Sequence, residues 1–178
     1  MIEAPISMPP QAYMDIIGPL IDNARGFLEA GQQLQAFAFV GNLTANQVIP
    51  VTIQPGSDEN KDRSAREIQS AALVLEADFV FTIMEAWSLR PDKMPQMDAI
   101  LDKYGSIGAS PFAIDVCSFA LETRRGVWVA LEQIKPKGIS KKKRTIGKVE
   151  FRYYTDVRGR FTHLLPAKDG DAPTTILH

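Results

Sequence analysis

Two carboxylates stand where a carboxylate is costly to keep. Glu85 falls in the apolar run Phe79 to Trp87 (FVFTIMEAW), and Asp115 falls in Ala113 to Glu122 (AIDVCSFALE). If each run is a strand, successive side chains point to opposite faces. Phe79, Phe81, Ile83, Glu85 and Trp87 then share one face, and Asp115 shares a face with Cys117 and Phe119. An ionised carboxylate in such a row must be paired, protonated or placed near the sheet rim. Two of them on neighbouring strands could work as an acid–base pair or hold a divalent cation. The plainer alternative is that each is taken up by an arginine such as Arg90, Arg124 or Arg125, since acids paired in this way are common without catalysis.

The second candidate is Lys135 to Arg144 (KPKGISKKKR), with six basic residues in ten. Pro136 and Gly138 make it a mobile loop projecting between two strands. Lys137, Lys141, Lys142, Lys143 and Arg144 could contact phosphates by charge rather than by base identity. Lys148 and Arg152 on an outer strand face could extend the patch, with Tyr154 as the aromatic sharing that face. The alternative is a solvated loop balancing an acidic half. Residues 1–122 hold 7 Lys/Arg and 16 Asp/Glu, net −9, whereas residues 123–178 hold 13 and 5, net +8. Such a split can mark a face for nucleic acid or an acidic protein. It can also mean that the halves attract each other, and ordinary charge mixing favours attraction within one fold.

Other chemistries are poorly served. Of the two histidines, His178 is the last residue, which leaves His163 alone. No Cys/His cluster with zinc spacing can be built, so no metal is expected. Cys117, between Val116 and Ser118, reads as an inert core residue. A Cys117–His163 dyad requires the folded sheet to bring the two together. Tyr104-Gly105-Ser106-Ile107-Gly108 has neither the Walker lysine nor the dinucleotide-binding spacing, so no cofactor is expected.

The elements that must position these residues follow from periodicity and punctuation. Tyr13, Ile16, Ile17, Leu20, Ala24, Phe27 and Leu28 have helical spacing. Gly18-Pro19 interrupts them, which predicts a kink or two short helices, and Gly31 is the stop. Leu34 to Val40 reads as a central strand and Val48 to Gln54 as a second, placed at an edge or a bulge by Pro50. Ser57-Asp58-Glu59 after Pro55-Gly56 is a helix start, and Ala65, Ile68, Ala72 and Leu75 form its narrow buried stripe. A short helix is expected over Pro95 to Lys103. Two turns share one pattern, Thr123-Arg124-Arg125-Gly126 and Asp156-Val157-Arg158-Gly159, each closing on a glycine in the left-handed conformation. Ala113–Glu122 should therefore pair with Val127–Ile134, and Thr145–Thr155 with Arg160–Leu165. Along the third of these strands Val149, Phe151 and Tyr153 point inward while Lys148, Glu150 and Arg152 point outward.

This order predicts an α+β fold: a mostly antiparallel sheet of six or seven strands, with two or three helices packed mainly on one face. At 178 residues and 45% hydrophobic content, a single domain over 1–178 is expected to bury about 70% of its unfolded surface. Residues 1–10 should be an extended arm and 167–178 a frayed tail. A lone cysteine fits a reducing compartment, and neither a secretory signal nor a membrane span is visible, so a cytoplasmic location and no membrane partner are expected. The function expected is non-catalytic binding, with a homodimer formed through strands apolar on both faces. A nucleic-acid or polyanion binder using the basic loop, and an enzyme using Glu85 with Asp115, are the alternatives.

Overall fold

In a computed structural model, which describes residues 4–157 and 160–166, the chain folds around a six-stranded antiparallel sheet. Helix α1 (Gln11–Glu29) precedes strands β1 (Phe37–Asn42) and β2 (Gln47–Thr52). Helix α2 (Asp58–Val74) leads to β3 (Phe79–Leu89), followed by a 3-10 turn (Pro91–Gln96) and α3 (Met97–Tyr104). Strands β4 (Ala113–Thr123) and β5 (Gly126–Gln133), the short pair β6 (Lys135–Pro136) and β7 (Arg144–Thr145), and β8 (Arg152–Tyr154) follow among the described residues. The main sheet runs β2-β1-β3-β4-β5-β8, and β6 pairs with β7 alone. The α+β class and antiparallel sheet are those predicted from the sequence.

The helices are distributed differently from the expectation, because α1 and α2 lie on opposite faces. Phe79, Phe81 and Ile83 pack with Phe119, Leu121 and Trp128 against Ile17, Ile21, Ala24 and Leu28 of α1. The alternate residue Val80 packs with Ala38 and Val40 against Ile68 and Ala72 of α2. Strands apolar on both faces need a cover on each, and one helix serves each side. The second helix covers part of the apolar surface that the sequence leaves for a dimer contact.

Helix α1 also runs as one element of 19 residues through Pro19. Proline crowds the residue before it, but that residue is Gly18, which has no Cβ and has open space around it. Burial of Ile17 and Ile21 on either side of the break outweighs the lost hydrogen bond. Helix α2 starts as its sequence predicts, with Ser57 Oγ accepting from Asn60 N at 3.2 Å. Pro50 lies in edge strand β2.

The first hairpin forms in the expected register, Thr123 opposite Gly126. Its glycine is needed for a different reason from the one expected. Gly126 has φ +152°, and a Cβ there would lie 2.7 Å from the Tyr154 carbonyl and from the Tyr153 ring. The second hairpin does not form as expected, and its Arg158-Gly159 lie outside the described residues. β8 pairs with β5 instead (Val127 opposite Tyr154). Residues 160–166 fold over the α2 face, where Leu164 is fully buried. Their apolar side chains find more burial there than on an edge strand. The predicted inward row does hold, since Val149, Phe151 and Tyr153 all join the α1-side core. Within the arm, Ser7 N donates to Phe151 O at 2.8 Å and Ile6 bridges to Arg152. The expected tail 167–178 lies outside the described residues.

Candidate functional site: the basic hairpin and its carboxylate mount

Strand register puts the two candidate carboxylates on one face, as alternation requires. Glu85 is opposite Cys117, and Trp87 is opposite Asp115. The carboxylates are therefore diagonal neighbours, and Asp115 is exposed. Glu85 is not a free acid. Arg144 Nη2 donates to its Oε1 at 2.8 Å and Arg144 Nη1 to its Oε2 at 3.2 Å, a bidentate pair that occupies both oxygens. The hydrogen bonds to Glu85 hold the guanidinium still more firmly protonated, with Asp115 adding to the attraction. The partner is none of the arginines suggested by the sequence. Arg90 instead sits by Asp92 and over the Phe112 ring, and Arg124 donates to the Pro166 carbonyl at 2.7 Å.

The same pair changes the reading of the basic loop. Rather than an open mobile loop, residues 135–144 form a hairpin closed at its base by the β6–β7 ladder. Lys137 N donates to Lys143 O at 2.8 Å, and Ser140 Oγ accepts from Lys142 N and Lys143 N at 3.3 and 3.1 Å. Lys137 Nζ lies 2.8 Å from Glu29 Oε2, at the end of α1, and Thr145 Oγ1 donates to Glu29 Oε1 at 2.8 Å. These bonds, that from Lys137 foremost, lower the Glu29 carboxyl from its ordinary value. A carboxylate at a helix C-terminus opposes the dipole there, and the hairpin lysine supplies the compensating charge.

Of the five basic residues proposed for polyanion contact, Lys137 and Arg144 are therefore engaged within the molecule. Lys141, Lys142 and Lys143 are exposed and make no ion pair among the described residues. Lys148 is exposed too, but Arg152, in β8, donates to the Ala4 carbonyl and is engaged in holding the arm. Tyr154 lies opposite Val127, at the far end of β5 from Lys135, so it does not sit with the lysines.

Period-two reading of β5 would also have found Glu132. Trp128, Ala130 and Glu132 share a face, and Glu132 lies opposite Cys117. Burial raises its carboxyl, the Glu150 amide pulls it back, and the Glu150 charge raises it further. Cys117 is fully buried between the two acids. Burial first, then Glu85 and Glu132, pushes its thiol up to about 12. The Cys117–His163 dyad does not form. Cys117 belongs to the α1-side core, while His163 pairs with Asp156 at 3.1 Å and adjoins Leu164 of the opposite core.

Two cavities lie away from the hairpin. One, of about 30 Å³, is apolar and sits under Phe161 and Leu164. The other, of about 120 Å³, is lined by Glu122, Arg124, Arg125, Asp156 and His163 among others. There Leu164 N donates to both oxygens of Glu122 at 3.0 and 2.9 Å, so that acid holds segment 160–166 in place.

Among the described residues no group of three His, Cys, Asp or Glu is arranged to hold a metal ion, and no helix is long and apolar enough to cross a membrane. No family model, curated protein or solved structure matches the chain.

Proposed function

We propose that this chain is a non-catalytic binding protein that engages a polyanion through the hairpin at residues 135–144. The observation that carries this reading is the contrast between the base and the tip of the hairpin. The base is fixed by Arg144–Glu85 and Lys137–Glu29, while Lys141 to Lys143 stand exposed in unneutralised succession. Fixed, like-signed charge on an exposed element raises the local concentration of an opposite-signed partner. The occupied oxygens of Glu85 and the high thiol pKa of Cys117 support binding over turnover.

Titration of the full chain with labelled heparin or single-stranded nucleic acid tests the reading. Affinity should fall as salt rises, with a log–log slope of about −2 if three lysines contact a single strand. Replacing Lys141, Lys142 and Lys143 together by Glu should abolish binding. Binding that survives this replacement, or no binding at low salt, would refute the reading.

A second reading, self-association as a homodimer, has its own observation. On the α2 side, Met84, Ser118 and Leu131 lie side by side across β3, β4 and β5, and Leu131 is 54% exposed in mid-strand. An exposed leucine in mid-strand suits a second copy of the same face. Light scattering should give twice 19.7 kDa, reverting to the single mass for Leu131→Asp. A single mass for the unaltered chain ends this reading.

A further inference from the structure

We propose that the hairpin binds anionic lipid surfaces, with Lys141 to Lys143 on the headgroups and Ile139 entering the interface below them. This rests on the polyanion reading and names the polyanion. Ile139 is the most exposed large hydrophobic side chain among the described residues, with its whole surface in solvent. It stands two positions from the lysine run, in a turn whose backbone is closed by Lys137 N to Lys143 O and by the Ser140 hydroxyl.

Charge alone would suit any polyanion, and the isoleucine decides between them. A nucleic-acid backbone offers phosphates but no apolar layer for a fully exposed aliphatic chain. A bilayer surface offers both components in the required order, negative headgroups outside and acyl chains just beneath. The apolar and electrostatic contributions add to one another there. Trp87 is 66% exposed and lies two residues beyond Glu85 on the same sheet face. Through the Glu85–Arg144 pair it lies near the base of the hairpin, and tryptophan is enriched at membrane–water interfaces.

Co-sedimentation of the full chain with phosphatidylcholine vesicles, with and without phosphatidylserine, tests the proposal beside a heparin titration. Binding is expected only with phosphatidylserine, weakening as salt rises. Ile139→Ser should weaken vesicle binding about tenfold, the order expected for withdrawing one aliphatic side chain from an apolar layer. It should leave heparin binding unchanged. Replacing the three lysines by Gln should weaken vesicle binding about a hundredfold. Ile139 makes no core contact, so an unaltered melting temperature verifies that the variant is folded. If Ile139→Ser binds vesicles like the parent, the proposal falls and the polyanion reading stands. The proposal falls in the same way if heparin or nucleic acid binds but vesicles do not. If neither vesicles nor heparin bind at low salt, both fall together.

Discussion

Glu122 carries its carboxylate beneath the segment at residues 160–166, and its titration has a definite sign. Burial raises its pKa, although the amides of Leu164 and Leu165 and the charges of His163 and Arg124 act the other way. Below the unfolded value the group is protonated in both states and has no effect on stability. As pH rises through the unfolded value towards the folded one, the unfolded chain ionises first, so stability is lost there and stays lost at neutral pH. Glu122→Gln keeps an acceptor for the Leu164 amide and removes the charge. Its melting temperature relative to the parent should therefore rise between acid and pH 7. An equal difference at both pH values would assign the effect to packing. Cys117 makes a second prediction at this scale. With its thiol pushed up to about 12 and no exposed surface, it should react with a thiol reagent only after unfolding. Reaction in the native protein would contradict its burial.

Helix α2 and strand β1 show what local chemistry contributes to their elements. The Ser57 cap satisfies one amide of the first turn of α2, so Ser57→Ala should cost about 1 kcal/mol in a denaturant titration. Gly41 in β1 faces the ring of Phe79, and a Cβ there would lie 2.1 Å from Phe79 Cζ. Gly41→Ala should destabilise the fold by about 3 kcal/mol, because that ring is fully buried and has nowhere to shift. An unchanged unfolding midpoint would mean that the β1–β3 contact is looser than these distances imply. The cap, the proline at an edge and the two-residue turn were legible in the sequence because each depends only on its neighbours, whereas the close approach of Gly41 to Phe79 exists only in the folded sheet. The partner of β8 was not. Its residues alternate correctly, but which strand they join depends on where 160–166 finds more burial, and that competition is not local.

The molecule as a whole resolves its own charge asymmetry. Arg144 meets Glu85, Lys137 meets Glu29, and Arg160 lies 3.0 Å from Asp58 and 2.9 Å from Asp62. Each of these joins the basic C-terminal part to the acidic N-terminal part, as charge mixing within one fold predicts. The candidate site was legible to the same depth. Composition pointed to the hairpin and to Glu85 separately. That one completes the other could not be read across a separation of 59 positions, because only the folded sheet makes them neighbours. The placement of helices on both faces was half visible, in strands apolar on both sides without a stated second cover.

The N-terminal arm has a consequence at the rim of the sheet. By lying along 151–152 it occupies backbone groups that would otherwise template the addition of strands from other molecules, while on the opposite rim Pro50 has no amide to offer. A chain shortened to start at Pro9 should therefore form thioflavin-positive aggregates whose growth rises with concentration, while the full chain stays dispersed. Should the shortened chain also stay dispersed, the three-residue length of β8 would be sufficient protection by itself. On this view a few ordinary residues act as a stopper against fibril growth.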